Sequence, residues 1–98
     1  MELYVIRRPS GWDSGKELEA AAARSAQVGD EEMSSDIRWI RSYVVQETDG
    51  TLGTFCIYQA SSEEKIREHA ERAGLPADEV IKVADTVLVR PDPEKAAG

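Results

Sequence analysis

The chain has 98 residues, with 12 Lys and Arg against 19 Asp and Glu, which gives a net charge of −7. Its length predicts one small domain, and its acidity argues against a nucleic-acid binder, because neutralising phosphates requires a basic surface. One His and one Cys exclude a single-chain zinc finger and an intramolecular disulfide. We expect one domain over residues 1–90 and a flexible C-terminal tail over 91–98.

The first elements are a strand and a helix. Residues 3–8 are rich in β-forming side chains, which predicts a strand that ends before Pro9. Ser14 and Glu17 have the spacing of a capping box, so a helix should begin there and run to about residue 27. The residues at helical spacing that should face the core are Leu18, Ala21, Ala22, Ser25 and Val28. Because they are small, we expect this helix to lie close against its neighbour.

A polar, acidic stretch over residues 29–36 predicts a loop, and the β-forming run 37–46 predicts a long second strand. The Asp49-Gly50 pair is a strong signal for a hairpin turn. The third strand should therefore return over residues 54–59, antiparallel to the second.

The last elements are a helix and a strand. Ser61 and Glu64 form a second capping box, which predicts a helix that runs to about Ala73. Gly74 supplies a residue that can end the helix in a left-handed conformation. Residues 80–90 are mostly apolar and β-branched, which predicts a fourth strand.

The predicted order β-α-β-β-α-β belongs to the α+β class and is typical of the ferredoxin-like sandwich. Both helices would cover one face of a four-stranded antiparallel sheet and leave the other face bare. A bare apolar face of that size usually forms an interface. We therefore expect a homodimer in which the two sheets face each other.

The register of the central hairpin decides which side chains the helices cover. A loop of even length centred on Asp49-Gly50 places Tyr43 opposite Cys56 and Arg41 opposite Tyr58. The face toward the helices would then carry Ile40, Ser42, Val44, Phe55 and Ile57. The open face would carry Trp39, Arg41, Tyr43, Cys56 and Tyr58. An extra residue in the loop would change this pairing.

A few residues have side chains that could carry chemistry. His69 is expected on or near the apolar side of the second helix, as a packed core residue or as a ligand through a neutral ring nitrogen. Cys56 is interpreted as an inert buried thiol unless His69 lies close to it. Trp39, Tyr43 and Tyr58 form an aromatic cluster that either packs or walls a pocket. The strand cations, interpreted as a solvated or ion-paired edge with an anionic ligand as the alternative, are Arg7, Arg8, Arg38 and Arg41.

Three segments resemble a family of small bacterial proteins, known as a domain of unknown function and as nickel-binding proteins. They are W-I-R-S-Y-V at 39–44, T-F-C-I-Y at 54–58 and I-R-E-H-A-E-R-A-G-L-P-A-D at 66–78. The resemblance implies a ferredoxin-like fold that dimerises and a connection with nickel. The residues that match the pattern, and so are the candidates for a ligand site, are Tyr43, Cys56, Tyr58 and His69. Among them His69 is the candidate metal ligand.

These observations favour a cytoplasmic homodimer that binds a metal ion, nickel by resemblance, or a small ligand, without catalysis. The chain shows no membrane span and no signal peptide, and one unpaired Cys fits a reducing compartment. One alternative is a dimeric α/β-barrel enzyme of the isomerase or cofactor-free monooxygenase type, with a cavity lined by Tyr43, Tyr58 and His69. The other alternative is a non-catalytic interaction module.

Overall fold

The structure, a computed structural model, describes residues 1–77 and 79–93, with Ser10 by its backbone only. In chain order, these residues form strand β1 (Glu2–Trp12), helix α1 (Gly15–Gln27), strands β2 (Ile37–Gln46) and β3 (Leu52–Ala60), helix α2 (Glu63–Ala73) and strand β4 (Glu79–Lys82). Neighbouring strands are antiparallel, in the order β2-β3-β1-β4. The described residues thus confirm the α+β class, with two helices and an antiparallel sheet. Neither of these helices is long and apolar enough to cross a membrane.

Both helices begin at a serine cap. The Ser14 hydroxyl accepts from the Glu17 amide at 3.3 Å, as predicted, and the Glu17 carboxylate accepts from the amide just before the cap at 2.9 Å. Helix α2 is capped by Ser62 and not by Ser61. The predicted cap was one residue early because Ser61 is bound to Asp36, to which it donates through both its amide and its hydroxyl.

The core lies between the sheet and the two helices. Both helices cover the same side of β3, because Ser25 of α1 and His69 of α2 each contact the Tyr58 side chain. Alternate residues of β1 and β3 point into this layer, as the period of a strand requires. The buried members of the core cluster are Tyr4, Ile6, Val28, Met33, Ile37, Cys56, Tyr58, Ala60, Ile66 and Ala73.

The first strand continues past Pro9, where we expected it to end. Its pairing with β3 becomes irregular after Arg8 and resumes where Trp12 lies opposite Leu52. Proline is tolerated at such an irregularity because no regular ladder bond needs its missing N–H. The longer strand brings the Trp12 side chain to the edge of the layer beneath α1.

The segment after α1 is more ordered than the predicted loop. It begins with a π-helical segment, Val28–Glu32, in which Val28 and Gly29 are buried. A Cβ atom on Gly29 would lie 3.7 Å from Nε2 of His69. This is an ordinary van der Waals distance, so the imidazole of α2 packs against this segment.

The hairpin between β2 and β3 has an odd loop. The Glu47 amide donates to the Thr51 carbonyl at 2.9 Å, which leaves residues 48–50 in the loop. Gly50 adopts a φ of 88°, the left-handed conformation typical of a three-residue hairpin loop. We had assumed an even loop, so the predicted register is wrong by one residue.

This shift exchanges the faces of β3. Cys56 and Tyr58 face the helices and are buried, whereas Phe55 and Ile57, which we expected under the helices, lie on the open side. On β2, a second irregularity between Trp39 and Arg41 turns Trp39 toward the helices and leaves Ile40 exposed. The observed pairs include Trp39 with Tyr58, Arg41 with Ile57, Ser42 with Cys56 and Tyr43 with Phe55.

The fourth strand is much shorter than predicted. It covers Glu79–Lys82 and pairs with β1 up to Tyr4, and the Val83 amide still donates to the Leu3 carbonyl at 2.9 Å. Because the strands are antiparallel, β1 then runs out of residues and offers no partner for the rest of the apolar run. Val87, Leu88 and Val89, predicted in this strand, are 87%, 72% and 79% exposed.

The segment after β4 crosses from one edge of the sheet to the other. Its Asp92 carboxylate accepts from the Tyr43 hydroxyl at 2.9 Å and from the Arg41 guanidinium at 2.7 Å. Both partners belong to β2, the edge strand opposite β4. The predicted flexible tail over 91–98 stays a prediction, since 94–98 lie outside the described residues.

Candidate functional site

A cavity of about 210 Å³ lies between α1 and the helix-facing side of the sheet. Val44, which lies in its wall, is 53% exposed, so the cavity reaches the surface at the β2 edge. Its lining consists of Arg8, Trp12, Leu18, Ala21, Ala22, Ser25, Trp39, Ser42, Val44, Thr54, Cys56, Tyr58 and Leu75. These residues come from α1, three strands and the turn after α2, so the fold as a whole shapes the space.

The small side chains of α1 leave room for this cavity. Ala21, Ala22 and Ser25 face the sheet from the helix, where we had expected small residues to bring the helix into close contact. The opposite wall is aromatic, because Trp39 stacks on Tyr58 with ring centroids 6.0 Å apart and an angle of 6°. Small residues on one side and stacked rings on the other make a flat-walled space.

A pair of buried hydroxyl groups lies beneath the cavity wall. Ser25 Oγ and the Tyr58 hydroxyl lie 2.7 Å apart in a buried hydrogen bond. Burial raises the pKa of Tyr58, while the Ser25 hydrogen bond and the nearby Arg8 charge act in the opposite direction. The phenol therefore stays protonated at neutral pH, and one hydroxyl of the pair keeps a hydrogen to donate.

A buried cation also lies beneath the cavity wall. Arg8 is 1% exposed, although we had interpreted the strand arginines as a solvated or ion-paired edge. Its Nε donates to the Pro76 carbonyl at 2.6 Å, and its Nη2 is buried without a hydrogen-bond partner. The sequence did hold a signal, because Arg8 shares the period-two face of β1 with Tyr4 and Ile6.

His69 lies next to these groups but outside the cavity lining. It is 0% exposed, its ring centroid lies 5.3 Å from that of Tyr58, and its Nε2 lies 2.9 Å from the Ser25 carbonyl oxygen. A carbonyl only accepts, so Nε2 carries the proton of the neutral ring and the buried Nδ1, which has no partner, keeps a lone pair. Burial, reinforced by Arg8 and opposed by the Ser25 hydrogen bond, lowers the pKa of His69.

The structure brings three of the four predicted site residues together. Cys56 and Tyr58 line the cavity, and His69 packs behind Tyr58. Tyr43 lies on the open side of the sheet, where its hydroxyl donates to Asp92. The cavity therefore differs from the one that the enzyme alternative requires, because Tyr43 and His69 are not in its wall.

The donor groups of the described residues fall short of what a metal ion needs. Nickel accepts imidazole and oxygen ligands, usually several of them. Among residues 1–77 and 79–93, no three His, Cys, Asp or Glu side chains are grouped so that they could hold a metal ion. The Nδ1 lone pair of His69 is thus one available donor, but it does not belong to a group of three donor side chains among the described residues.

The chain is similar to a known protein family and to a solved structure. A family model described as "Nickel responsive protein SCO4226-like" matches residues 4–83, while no curated protein matches the chain. The solved structure of SCO4226 from Streptomyces coelicolor A3(2) is 20% identical, with a TM-score of 0.69 over 87% of this chain and 99% of that one. At this identity the structural likeness concerns the fold. Because the family model covers most of its length, the chain belongs to the family of nickel-responsive proteins similar to SCO4226.

Proposed function

We propose that this protein is a non-catalytic, ligand-binding homodimer of the cytoplasm, and that its small-molecule ligand occupies the cavity beneath α1. The observation that carries the proposal is the cavity itself, about 210 Å³ with apolar and partly aromatic walls. A tightly packed layer between helix and sheet would leave no such space. Concave, mostly apolar spaces with a few polar groups are the usual form of small-molecule sites.

The chemistry of the cavity wall supports binding without catalysis. Its described residues include neither a carboxylate nor an imidazole, the groups that most often move protons near neutral pH. Cys56 Sγ lies 3.4 Å from the Thr54 hydroxyl, to which it donates. A thiol bound to a neutral hydroxyl has no base beside it to make it a nucleophile.

A neutral aromatic probe tests whether the cavity is accessible. Both tryptophans of the chain, Trp12 and Trp39, line the cavity, so their fluorescence should change when benzyl alcohol binds. Ala21→Leu extends a side chain into the space and should abolish the change. Ala20→Leu, at an exposed position of the same helix, is the matched control and should leave it intact. Equal responses from both variants would contradict the proposed site.

Nickel is a separate candidate ligand that the family name supports. The described residues of one chain do not fit a complete nickel site, because His69 Nδ1 is not accompanied by two further grouped donors. We propose His69 as one nickel ligand on the strength of that unpartnered lone pair. Nickel titration by calorimetry, with metal analysis of the protein, should show binding that His69→Gln removes. Undiminished binding by the variant would exclude His69, and no binding by either protein would exclude nickel.

The strand order and the open sheet face support the ferredoxin-like and dimeric parts of the proposal. The order β2-β3-β1-β4 with antiparallel neighbours is that of a split β-α-β sandwich. Ile81 on the open face and the run Val87–Val89 beside it are exposed, and a second copy of the chain would cover them. Light scattering should find a dimer that Val87→Asp dissociates, whereas Val44→Asp on the helix side should not. A monomeric wild-type protein would refute this part.

A further inference from the structure

We propose that the cavity beneath α1 selects an uncharged, apolar molecule with one aromatic ring and excludes ions of either sign. This inference rests on the proposed ligand-binding function, since it names the chemical class of the ligand. It comes from three features of the cavity: an apolar surface, polar side chains whose hydrogen-bonding atoms are engaged within the protein, and a volume that matches one substituted ring.

The surface that the cavity presents to a ligand is apolar. Both tryptophan rings of the chain contribute to it, and the rest of its apolar wall is aliphatic. The aliphatic side chains are Leu18, Ala21, Ala22, Val44 and Leu75. Water in such a space has few hydrogen-bond partners, and an engineered cavity with a comparable wall stays dry and takes up benzene. The cavity therefore favours an apolar occupant over water.

Four polar residues of the wall are bound to one another. Ser25 Oγ and the Tyr58 hydroxyl lie 2.7 Å apart in a buried hydrogen bond. The Trp39 indole donates through Nε1 to Ser42 Oγ at 2.8 Å. Each bond joins two residues that both line the cavity. Their polar atoms are thus engaged with each other, and the surface that a ligand meets stays apolar.

The other polar groups of the wall do not offer a ligand a partner either. Cys56 Sγ donates to Thr54 Oγ1 at 3.4 Å. Arg8 Nε donates to the Pro76 carbonyl at 2.6 Å, and Arg8 Nη2 is buried, so this guanidinium lies behind the apolar surface. An ion that enters the cavity would lose its hydration, and only direct hydrogen bonds offset that loss. The described wall presents none, so a charge of either sign on the ligand is unfavourable.

The dimensions of the cavity set the size and shape of the ligand. The volume of about 210 Å³ exceeds the roughly 150 Å³ that admits benzene into an engineered apolar cavity, and lies below the roughly 300 Å³ of the smallest drug-sized sites. The ring planes of Trp39 and Tyr58 differ by 6°, which makes this side of the space flat. One aromatic ring with a short alkyl group fits, whereas a nucleotide or a fatty acid exceeds the space.

Four probes that share one benzyl group distinguish the ligand classes, with tryptophan fluorescence of the full chain as the measurement. Ethylbenzene is uncharged and apolar, and benzyl alcohol replaces its methyl group by a hydroxyl. Phenylacetate adds a negative charge and benzylammonium a positive one. We expect ethylbenzene to bind at least about fivefold more tightly than benzyl alcohol, because the hydroxyl leaves water without gaining a partner. Both ions should bind at least about tenfold more weakly than benzyl alcohol.

A matched pair of serine substitutions tests whether the apolar wall causes this preference. Ala21→Ser adds a hydroxyl to the wall, where it can bind the hydroxyl of benzyl alcohol. The ratio of the ethylbenzene and benzyl alcohol affinities should therefore fall at least about twofold. Ala20→Ser makes the same change at the preceding, exposed position of α1 and should leave the ratio as in wild type.

Each result has a definite consequence. Equal affinity of the wild-type protein for ethylbenzene and benzyl alcohol overturns the apolar class and leaves the proposed binding function standing. Binding of either ion as tight as that of benzyl alcohol overturns the exclusion of charge, again without affecting the binding function. A ratio that Ala21→Ser leaves unchanged overturns the role of the wall in the preference. No binding of any probe overturns both the inference and the cavity site.

Discussion

Acidification through the titration range of histidine should destabilise the folded protein through His69. Its Nε2 proton is held by the Ser25 carbonyl at 2.9 Å, and its buried Nδ1 has no partner. Protonation would add an N–H at Nδ1 without an acceptor, close to the Arg8 cation and the neutral Tyr58. Burial and, to a smaller extent, Arg8 therefore lower the pKa of His69 in the folded state, although the Ser25 bond opposes them.

The sign and the size of the effect follow from linkage. The unfolded chain takes up a proton at His69 near pH 6.5, the ordinary value for histidine, whereas the folded chain does so only at lower pH. The stability that neutral His69 contributes is complete above that value and is lost as the pH falls toward the folded-state pKa. Between about pH 7.5 and about pH 5.5, proton uptake by one unfolded histidine changes the free energy of unfolding by up to about 1.4 kcal/mol.

Urea unfolding at these two pH values measures the loss directly, with EDTA present so that bound metal does not contribute. The matched variant is His69→Gln, whose amide can still donate to the Ser25 carbonyl but does not titrate. Because the chain has one His, the variant should lose less stability than wild type on acidification, by up to about 1.4 kcal/mol, while changes from other groups cancel in the comparison. Equal losses in the two proteins, or a wild type that is more stable at the lower pH, would refute the reasoning.

Three further substitutions should lower stability by distinct mechanisms, measured by urea unfolding. Tyr58→Phe leaves the buried Ser25 hydroxyl without its hydrogen-bond partner and should lower the free energy of unfolding by about 1–3 kcal/mol. A double-mutant cycle with Ser25→Ala should find a coupling energy above about 0.5 kcal/mol. Gly53→Ala places a Cβ 2.8 Å from a β1 carbonyl and should remove at least about 1 kcal/mol. Gly74→Ala forces a φ of 70° on alanine and should remove about 1 kcal/mol, whereas Gly15→Ala, with nothing within 4 Å, should be neutral.

Local sequence signals predicted most of the elements because each depends on a few adjacent residues. The bounds of β2 and the end of α1 match the prediction, and the Ser14 cap forms as expected. The fourth strand failed because its length depends on where β1 ends, a tertiary constraint that the apolar run over 80–90 does not contain.

The alternation of side chains along β2 and β3 did not by itself predict which side of each strand faces the helices. One extra loop residue, accommodated by the left-handed Gly50, exchanges the two sides of β3, and an irregularity after Trp39 shifts β2 again. Apolar residues stand on both sides of β3, with Cys56 and Tyr58 on one and Phe55 and Ile57 on the other, so hydrophobicity did not choose the register. The geometry of the turn sets the register, and the register determines which residues line the cavity.

Three buried polar side chains lie beneath the cavity, and not all of their hydrogen-bonding atoms have partners. A buried guanidinium, phenol and imidazole, as in Arg8, Tyr58 and His69, lower stability unless their hydrogen-bonding groups have partners. Three of their atoms do have partners: Arg8 Nε, the Tyr58 hydroxyl and His69 Nε2. The two that do not are Arg8 Nη2 and His69 Nδ1, and both atoms are buried. A metal ion at Nδ1 would therefore have to open the layer between α2 and β3. Nickel binding through His69 should accordingly increase the hydrogen exchange of α2.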